Sequence, residues 1–198
     1  MKFKALLLAA GLGSRLRPIT NSKPKCLVKI GDDPILGIWL RKLSESGCDS
    51  VLINTHYFSE QVEEYLNKNN FGDIKISTTY EPKLLGTAGT LIKNADFFSG
   101  YHCLMIHADN FTNTNINNFI EFHSNVSIPK KRILSMMTFH TNSPETCGIV
   151  KLDEEKVVQK FFEKNKEFHG NIANAAIYLF NEKLINFLQS SKKQFFDF

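Results

Sequence analysis

The segment LLLAAGLGSRLRPITNSKPK, from Leu6 to Lys25, decides the fold of this chain. Its first five residues are apolar and uninterrupted, which is typical of a strand buried on both faces of a parallel sheet. Gly11 and Gly13 follow at once, and glycine permits the backbone angles and close approach that let N–H groups face an anion. Four cations come next, and Lys and Arg bind phosphate oxygens through charge-assisted hydrogen bonds. They are Arg15, Arg17, Lys23 and Lys25. The segment therefore predicts a strand that ends in a triphosphate-binding loop.

Two other glycine-rich loops fit this segment less well. A dinucleotide-binding fingerprint needs a third glycine where Leu16 stands, and an acidic residue after the next strand, which ends at Asn54. A P-loop needs Gly-Lys-Ser or Gly-Lys-Thr after the first glycines. A purely structural turn gives no reason for so many cations and two prolines. The pattern favours a nucleoside triphosphate over NAD.

The motif G-L-G-S-R-L-R-P, at residues 11–18, with K-P-K at 23–25, resembles the signature of the sugar-1-phosphate nucleotidylyltransferases. Further matches extend the resemblance over nearly all of the chain. It implies an α/β fold, a doubly wound, mostly parallel Rossmann-like sheet with a small antiparallel hairpin region, of the nucleotidyltransferase or glycosyltransferase-A-like type. It also implies an EC 2.7.7 enzyme that joins an NTP to a sugar 1-phosphate and releases pyrophosphate, most like the mannose-1-phosphate guanylyltransferases.

The resemblance gives the first segment specific roles. Lys25 would stabilise the α-phosphate, and Arg15 would stabilise the departing pyrophosphate. The remaining residues of the loop would contact the nucleotide. They are Leu8, Ala9, Ala10, Gly11, Gly13 and Ser14.

A second motif, E-P-K-L-L-G-T-A-G at residues 81–89, lies between a predicted strand and a predicted helix. In an open α/β sheet, ligands bind at such carboxyl ends of strands. The motif resembles the family's base-recognition loop, in which backbone groups around Gly86, Thr87 and Ala88 read the nucleobase. Glu81 would accept hydrogen bonds from base N–H groups. This form is most similar to enzymes that use GTP, although uridylyl and thymidylyl relatives have similar loops.

Asp109 follows the mostly apolar run C-L-M-I-H-A at residues 103–108. Mg²⁺ prefers hard oxygen ligands and often takes one or two carboxylates plus phosphate oxygens. The resemblance places the family's metal-binding aspartate here, so Asp109 is predicted to hold Mg²⁺; an aspartate that caps the next turn is the alternative. His107 is expected to be packed or locally hydrogen-bonded, and His56 is given no role.

The sugar phosphate is expected to meet the later part of the chain. Gly148, the pair Glu163-Lys164 and Asn174 match the family's sugar-phosphate positions. Lysine suits a phosphate dianion, whereas Glu163 and Asn174 suit sugar hydroxyls. Two residues depart from the family pattern: Asn165 replaces a proline, and Ala176 replaces a glycine.

Composition sets looser bounds. A chain of 198 residues with 42% hydrophobic content can bury one sizeable core, which predicts a single domain over residues 1–198. The net charge of +4 is too mild for nucleic-acid binding and favours small anions as ligands.

Four scattered cysteines without a C-x-x-C pattern indicate reduced thiols in a cytoplasm. No apolar run approaches the ~20 residues that span a bilayer, and no signal peptide is recognised. The oligomeric state is left open, a homo-oligomer included.

The remaining expectations concern the elements and the chain end. Asp33 and Pro34 are predicted to start one helix, which is predicted to stop at Gly47, and Ser59 is predicted to cap another. The strands from Ile149 onward follow one another too closely for helical crossovers, which predicts hairpins.

Related enzymes continue further than this chain. The aromatic end Gln194–Phe198 therefore predicts a truncated domain that lacks the family's second metal-binding aspartate. Asp197 does not match the position of that aspartate. The alternatives in function are a uridylyl- or thymidylyltransferase, and a non-catalytic nucleotide-sugar-binding homologue.

Overall fold

The computed structural model describes residues 1–164 and 167–191. The chain divides into two compact units. The first is Met1–Ser135 with the segment that begins at Tyr178, and the second is Met136–Ile177. That both belong to one nucleotidyltransferase domain over residues 1–198 stays a prediction. Asn165, Asp197 and the aromatic end Gln194–Phe198 lie outside the described residues.

The first unit alternates strands and helices. Its strands are β1 Phe3–Leu8, β2 Lys29–Ile30, β3 Asp33–Pro34, β4 Ser50–Thr55, β5 Lys75–Tyr80 and β6 His102–His107. Its helices are α1 Ile35–Glu45, α2 Ser59–Lys68, α3 Gly86–Lys93, α4 Ile116–Phe122 and α5 Glu182–Ser190. Within residues 1–164 and 167–191, no helix is long and apolar enough to cross a bilayer.

Four strands of this unit form a parallel sheet in the order β5-β4-β1-β6. The strands β1, β4 and β6 carry the centre of the core, where Leu7, Ile53 and Met105 are fully buried. This burial on both faces explains the continuous apolar runs in the sequence. The predicted α/β fold with a mostly parallel sheet is confirmed.

Helix α1 covers the sheet with one apolar face. Leu36, Trp39, Leu40 and Leu43 are buried at helical spacing. The chain leaves the helix through Ser46, and Gly47 has a φ of +71°, a value that favours glycine. The predicted stop at Gly47 is therefore confirmed.

Two predicted helix starts are wrong. Pro34 is extended, with φ −59° and ψ 141°, so Asp33 pairs with Ile30 in a short antiparallel ladder instead of capping α1. The Asp33 carboxylate instead forms an ion pair with Arg41 at 2.7 Å. Helix α2 begins at Ser59 itself, because Phe58 takes the cap position with a φ of +53°.

The second unit is antiparallel where its pairing is defined. Its strands are β7 Leu134–His140, which begins in the first unit, β8 Ile149–Leu152, β9 Val158–Phe162 and β10 Ile172–Phe180, which ends there. Strand β8 pairs with β9 and with β10 in antiparallel fashion, and β7 pairs with β10. The predicted hairpins are confirmed.

Candidate functional site

Three neighbouring strands of the first unit end at the same edge of the sheet. Leu8, the last residue of β1, pairs with Asn54 on one side and with His107 on the other. A cavity of ≈ 200 Å³ opens there. Its lining residues are Leu8, Ala9, Ala10, Gly11, Lys25, Cys26, Asn54, Glu81, Leu84, Gly86, Thr87, His107 and Asp109. The cavity is smaller than the about 300–1,000 Å³ typical of drug-sized ligands, so it can enclose part of a nucleotide.

The structure brings together most of the residues predicted to bind a nucleotide. Leu8 to Gly11, Lys25, Glu81, Gly86, Thr87 and Asp109 all line this cavity. Gly13, Ser14, Arg15 and Ala88 are not among its lining residues. Arg15 and Ser14 lie in the exposed helical turn Ser14–Leu16, whereas Ala88 is fully buried within α3.

The glycine-rich loop is fixed by contacts within the chain. Gly13 has a φ of +65°, and an added Cβ would lie only 2.8 Å from Cγ2 of Thr20 and 3.2 Å from Cβ of Lys25. Thr20 Oγ1 donates to the Gly13 carbonyl at 2.7 Å. Only glycine fits this conformation and this space, which explains the second glycine of the motif.

Lys25 and Asp109 meet at the cavity. The Lys25 Nζ donates to Oδ2 of Asp109, and the two side chains are 22% and 30% exposed. The predicted phosphate-binding lysine and the predicted metal ligand are therefore direct partners. Both can reach a ligand in the cavity.

Asp109 supplies the one carboxylate among the described residues that lines the cavity and is partly exposed. No cluster of three His, Cys, Asp or Glu side chains with metal-site geometry occurs within residues 1–164 and 167–191. Mg²⁺ often takes only one or two carboxylates and completes its shell with phosphate oxygens and water. The donor set therefore fits a magnesium ion shared with a phosphate ligand, and does not fit a site built by protein side chains alone.

Asn54 also lines the cavity, and the sequence analysis gave it no role there. Its Oδ1 accepts from Ala9 N at 2.7 Å and from Ala10 N at 3.3 Å. Its Nδ2 donates to Glu81 Oε1 at 3.0 Å and to Thr90 Oγ1 at 3.2 Å. The first pair of contacts follows from the strand register, which places Asn54 of β4 beside Leu8 at the end of β1.

Glu81 has different partners from those expected of a base reader. It is 1% exposed; Oε1 accepts from Asn54 and from Thr90 Oγ1 (2.5 Å), and Oε2 accepts from Leu85 N (3.1 Å). A carboxylate has about four acceptor positions, so at most one remains for a base. The structure thus gives Glu81 a role in holding its own loop, and its contact with a base stays a prediction.

Two histidines and a cysteine complete the surroundings. His107 was expected to be packed or locally hydrogen-bonded, and the structure shows that it also lines the cavity. His56 Nδ1 lies 2.7 Å from the Glu81 carbonyl oxygen and so supports the same loop. Burial raises the pKa of the Cys26 thiol to about 12, which keeps it protonated and unreactive at neutral pH.

In the second unit, the four residues predicted to bind the sugar phosphate lie close together. An added Cβ on Gly148 would be 2.5 Å from Cζ of Phe161 and 3.3 Å from Oε2 of Glu163, so any side chain there would have to displace the Phe161 ring. Asn174 N donates to the Gly148 carbonyl at 2.9 Å. Lys164 Nζ lies 3.6 Å from Oε1 of Glu163, with both side chains more than half exposed.

A parallel sheet with a glycine-rich, cation-bearing loop and an aspartate at its carboxyl edge defines an α/β nucleotide-binding protein. The family model described as Nucleotidyl transferase matches residues 4–196, and the chain belongs to this family. Among solved structures, it is similar to a Bacillus anthracis protein provisionally described as a glucose-1-phosphate thymidylyltransferase. The TM-score is 0.86 at 25% identity, over 96% of this chain and 76% of that one. HddC from Yersinia pseudotuberculosis, at 22% identity and a TM-score of 0.81, shares the fold over 99% of this chain and 83% of its own.

The chain is also similar to curated mannose-1-phosphate guanylyltransferases. The mannose-1-phosphate guanylyltransferase catalytic subunit beta of Drosophila pseudoobscura pseudoobscura is 32% identical over 186 residues, covering 92% of this chain and 49% of the relative. Mannose-1-phosphate guanylyltransferase 1 of Arabidopsis thaliana is 32% identical over 188 residues, covering 92% and 51%. The chain spans about half the length of the curated relatives it matches.

Proposed function

We propose that this chain is a sugar-1-phosphate nucleotidylyltransferase, with GTP and mannose 1-phosphate or a similar sugar phosphate as its substrates. The observation that carries the proposal is the Lys25–Asp109 pair beside the glycine-rich loop. A cation and a carboxylate side by side at such a loop suit a triphosphate and the metal ion that would accompany it. The names of the curated relatives support the choice of GTP and mannose 1-phosphate.

The reaction is an in-line displacement at the α-phosphorus of the NTP. An oxygen of the sugar 1-phosphate forms the new bond to this phosphorus, and the bond to the bridging oxygen of pyrophosphate breaks. Pyrophosphate leaves with the electron pair, so no covalent enzyme intermediate is needed. The protein contributes by holding two anions in line and by offsetting their charge.

Two charged residues of the loop, Lys25 and Arg15, have a role in that displacement. Lys25 binds the α-phosphate, where negative charge develops in the transition state. Arg15 is exposed in the turn Ser14–Leu16 and can donate two parallel hydrogen bonds to the departing pyrophosphate. The loop residues Gly11, Gly13 and Ser14 bind the phosphates through their backbone.

Asp109 would hold Mg²⁺ together with phosphate oxygens of the NTP. Magnesium there would draw charge from the α-phosphate and the leaving group. An entering triphosphate competes with Asp109 for Lys25, because phosphate oxygens are strong acceptors for the same ammonium group. The exchange frees the carboxylate at the moment when a metal ligand is needed.

The base and the sugar phosphate would use separate sets of residues. Backbone groups around Gly86, Thr87 and Ala88 would read the base, and Glu81 would offer its one remaining acceptor position to a guanine N–H. In the second unit, Lys164 would bind the phosphate monoester, while Glu163 and Asn174 would bind sugar hydroxyls. Gly148 would leave room for the sugar to approach.

A second candidate function is thymidylyl or uridylyl transfer on the same scaffold. It is favoured by the description of the Bacillus anthracis protein, which names a thymidylyltransferase. A third is a non-catalytic homologue that binds nucleotide sugars.

The buried free thiols of Cys26, Cys48 and Cys103 suit a reducing compartment, so we place the protein in the cytoplasm.

The test is a pyrophosphate-release assay with each of the four NTPs against mannose, glucose and heptose 1-phosphates, with Mg²⁺ and with EDTA. We expect release with GTP and mannose 1-phosphate in Mg²⁺ alone. Release with UTP or dTTP instead would establish the second candidate. A thermal-shift panel of nucleotide sugars tests the third candidate, the non-catalytic homologue. A ligand at 100 times its Kd stabilises the folded protein by about 2.7 kcal/mol. Binding without release would contradict the enzyme.

A further inference from the structure

One buried side chain joins the two loops that surround the cavity. Asn54 is 4% exposed and lies between the phosphate loop, at Ala9 and Ala10, and the loop that begins at Glu81. Its contacts with Ala9 and Glu81 measure 2.7 and 3.0 Å. The structure therefore links the two loops through one amide group.

An amide is the group that can make this link. Its oxygen accepts two hydrogen bonds, here from Ala9 N and Ala10 N, while its nitrogen carries two donors, here used by Glu81 and Thr90. The reverse orientation would place N–H against N–H and oxygen against a carboxylate. Neither an aliphatic residue nor an aspartate of the same size satisfies both sides.

The link extends to the start of α3. Glu81, fixed by Asn54 and by Thr90 Oγ1, accepts from Leu85 N at 3.1 Å. Leu85 immediately precedes Gly86, the first residue of the helix and a lining residue of the cavity. A single chain of buried hydrogen bonds thus runs from the phosphate loop to the backbone that faces the cavity on its other side.

We propose that Asn54 is a positioning residue of the nucleotide site. It sets the separation between the phosphate loop, at Ala9 and Ala10, and the loop that begins at Glu81. The proposal rests on the proposed function of this cavity. Because both loops are buried where they meet Asn54, losing the amide leaves donors of the phosphate loop without an acceptor. Each loop then relaxes on its own, and a nucleotide that spans both binds less tightly.

The experiment measures loop order and affinity separately. Amide hydrogen exchange of Ala9, Ala10 and Leu85 is followed by NMR in the ligand-free protein, with the Met105 amide in β6 as the reference for global opening. Affinity is measured by calorimetry with GTP and Mg²⁺. The variants are Asn54→Ala and Asn54→Asp, and the control is Asn69→Ala, an asparagine whose Nδ2 donates to the Tyr65 carbonyl at 2.7 Å.

Asn54→Ala should speed exchange at Ala9, Ala10 and Leu85 by about tenfold or more, and raise the Kd for GTP by a similar factor, with Met105 unchanged. Asn54→Asp at pH 8.5 retains the acceptor but loses the donor. It should speed exchange at Leu85 alone and still weaken the binding of GTP. This result separates the acceptor side of the link, at Ala9 and Ala10, from the donor side, at Glu81. The Asn69→Ala control should match the wild type in both measurements.

Exchange and affinity within about twofold of the wild type would overturn the proposal. So would faster exchange at Met105 to the same degree, because Asn54 would then support the whole fold. If Asn54→Ala does not fold, the isosteric Asn54→Asp decides alone. A wild-type protein that binds no NTP would contradict the proposed function instead, and the exchange data would still show whether Asn54 joins the loops.

Discussion

The Nζ of Lys25 donates a hydrogen bond to Oδ2 of Asp109, and this pair connects the cation-bearing loop to the carboxyl end of β6. Lys25 begins a short helical turn after Pro24, and Asp109 lies two residues beyond the end of its strand. Both side chains stay partly exposed. A partly exposed ion pair stabilises a fold by only about 0–1 kcal/mol. Its position at the cavity is therefore better explained by ligand binding than by folding.

Asp109→Asn should nearly abolish turnover and leave the fold intact. The amide keeps the size of the carboxylate but cannot offer a charged ligand to Mg²⁺, so we expect the rate to fall by about 10²–10³-fold. Pyrophosphate release as a function of Mg²⁺ concentration checks this, together with a thermal melt. Asp49→Asn is the matched control, because Asp49 precedes β4 at the opposite end of the sheet. A normal rate in Asp109→Asn would remove Asp109 from the reaction.

Lys25→Ala should lower kcat more than it weakens nucleotide binding. A cation that acts on charge developing at the α-phosphate contributes chiefly in the transition state. Single-turnover rates and the Kd for GTP, measured on the same variant, separate the two effects. Lys68→Ala is the control, since Lys68 is exposed and paired with Glu64 on α2. An unchanged kcat with a raised Kd would show that Lys25 only holds the nucleotide.

Much of the fold and several of the site residues followed from the sequence. Continuous apolar runs identified the buried parallel strands, and the residues after them identified the edge where Lys25 and Asp109 meet. Asn54 was missed because its partners are not local: they come from the register that places it beside Leu8. For His107 the sequence analysis expected a packed or locally hydrogen-bonded side chain, and the structure adds that it lines the cavity.

Glu81→Gln should destabilise the protein. Asn54, Thr90 and Leu85 all donate to this carboxylate, so the amide of glutamine would set a donor against a donor. An unmatched buried group of this kind costs about 1–3 kcal/mol. In a chain of this size, each kcal/mol shifts Tm by about 2–4 °C.

Thermal unfolding followed by circular dichroism measures this loss, with the exposed Glu64→Gln as control. A Tm equal to that of the wild type would contradict the contacts described for Glu81. The affinities of Glu81→Gln for the four NTPs test its predicted contact with guanine. A loss confined to GTP would support that contact, and equal losses would show that Glu81 only holds its loop.

Folding stability should fall as the pH drops from about 6.5 to about 4. His123 is fully buried, with Nδ1 2.8 Å from Ser135 Oγ and Nε2 3.2 Å from His102 Nδ1. Burial, and then the neighbouring His102, lower the pKa of His123 from 6.5 to about 4. Between these values the unfolded chain binds a proton that the folded chain does not, so protons favour unfolding. The loss amounts to about 3 kcal/mol at most.

Urea unfolding at pH 7.5, 6 and 5 measures this slope in the wild type and in His123→Gln. Glutamine keeps hydrogen-bonding groups near Ser135 but does not titrate, so the variant should lose less stability on acidification. The exposed His140→Gln is the control. Equal slopes in all three proteins would mean that other groups cause the acid sensitivity.

Helix starts were the least predictable part of the fold. Ser59 has the chemistry of a cap, yet Phe58 occupies that position, with a φ of +53°. Asp33 was drawn away from its helix by the ladder with Ile30 and by Arg41. The residue at which a helix starts depends on the backbone conformation and pairing of the residues before it, and a local sequence motif does not determine these.

Ala176→Gly should stabilise the protein or leave its stability unchanged. Ala176, in strand β10, has a φ of +52°, and its N–H donates to Asn174 Oδ1 at 2.8 Å. A left-handed conformation costs an L-residue about 1–2 kcal/mol, whereas glycine adds about 0.4–1 kcal/mol of unfolded-state entropy. The relief of strain therefore equals or exceeds the entropic loss. Ala175→Gly, at the adjacent residue without a positive φ, should instead lose about 0.5–1 kcal/mol. Chemical denaturation of both variants measures the difference, and equal losses at the two positions would show that the backbone at Ala176 carries no strain.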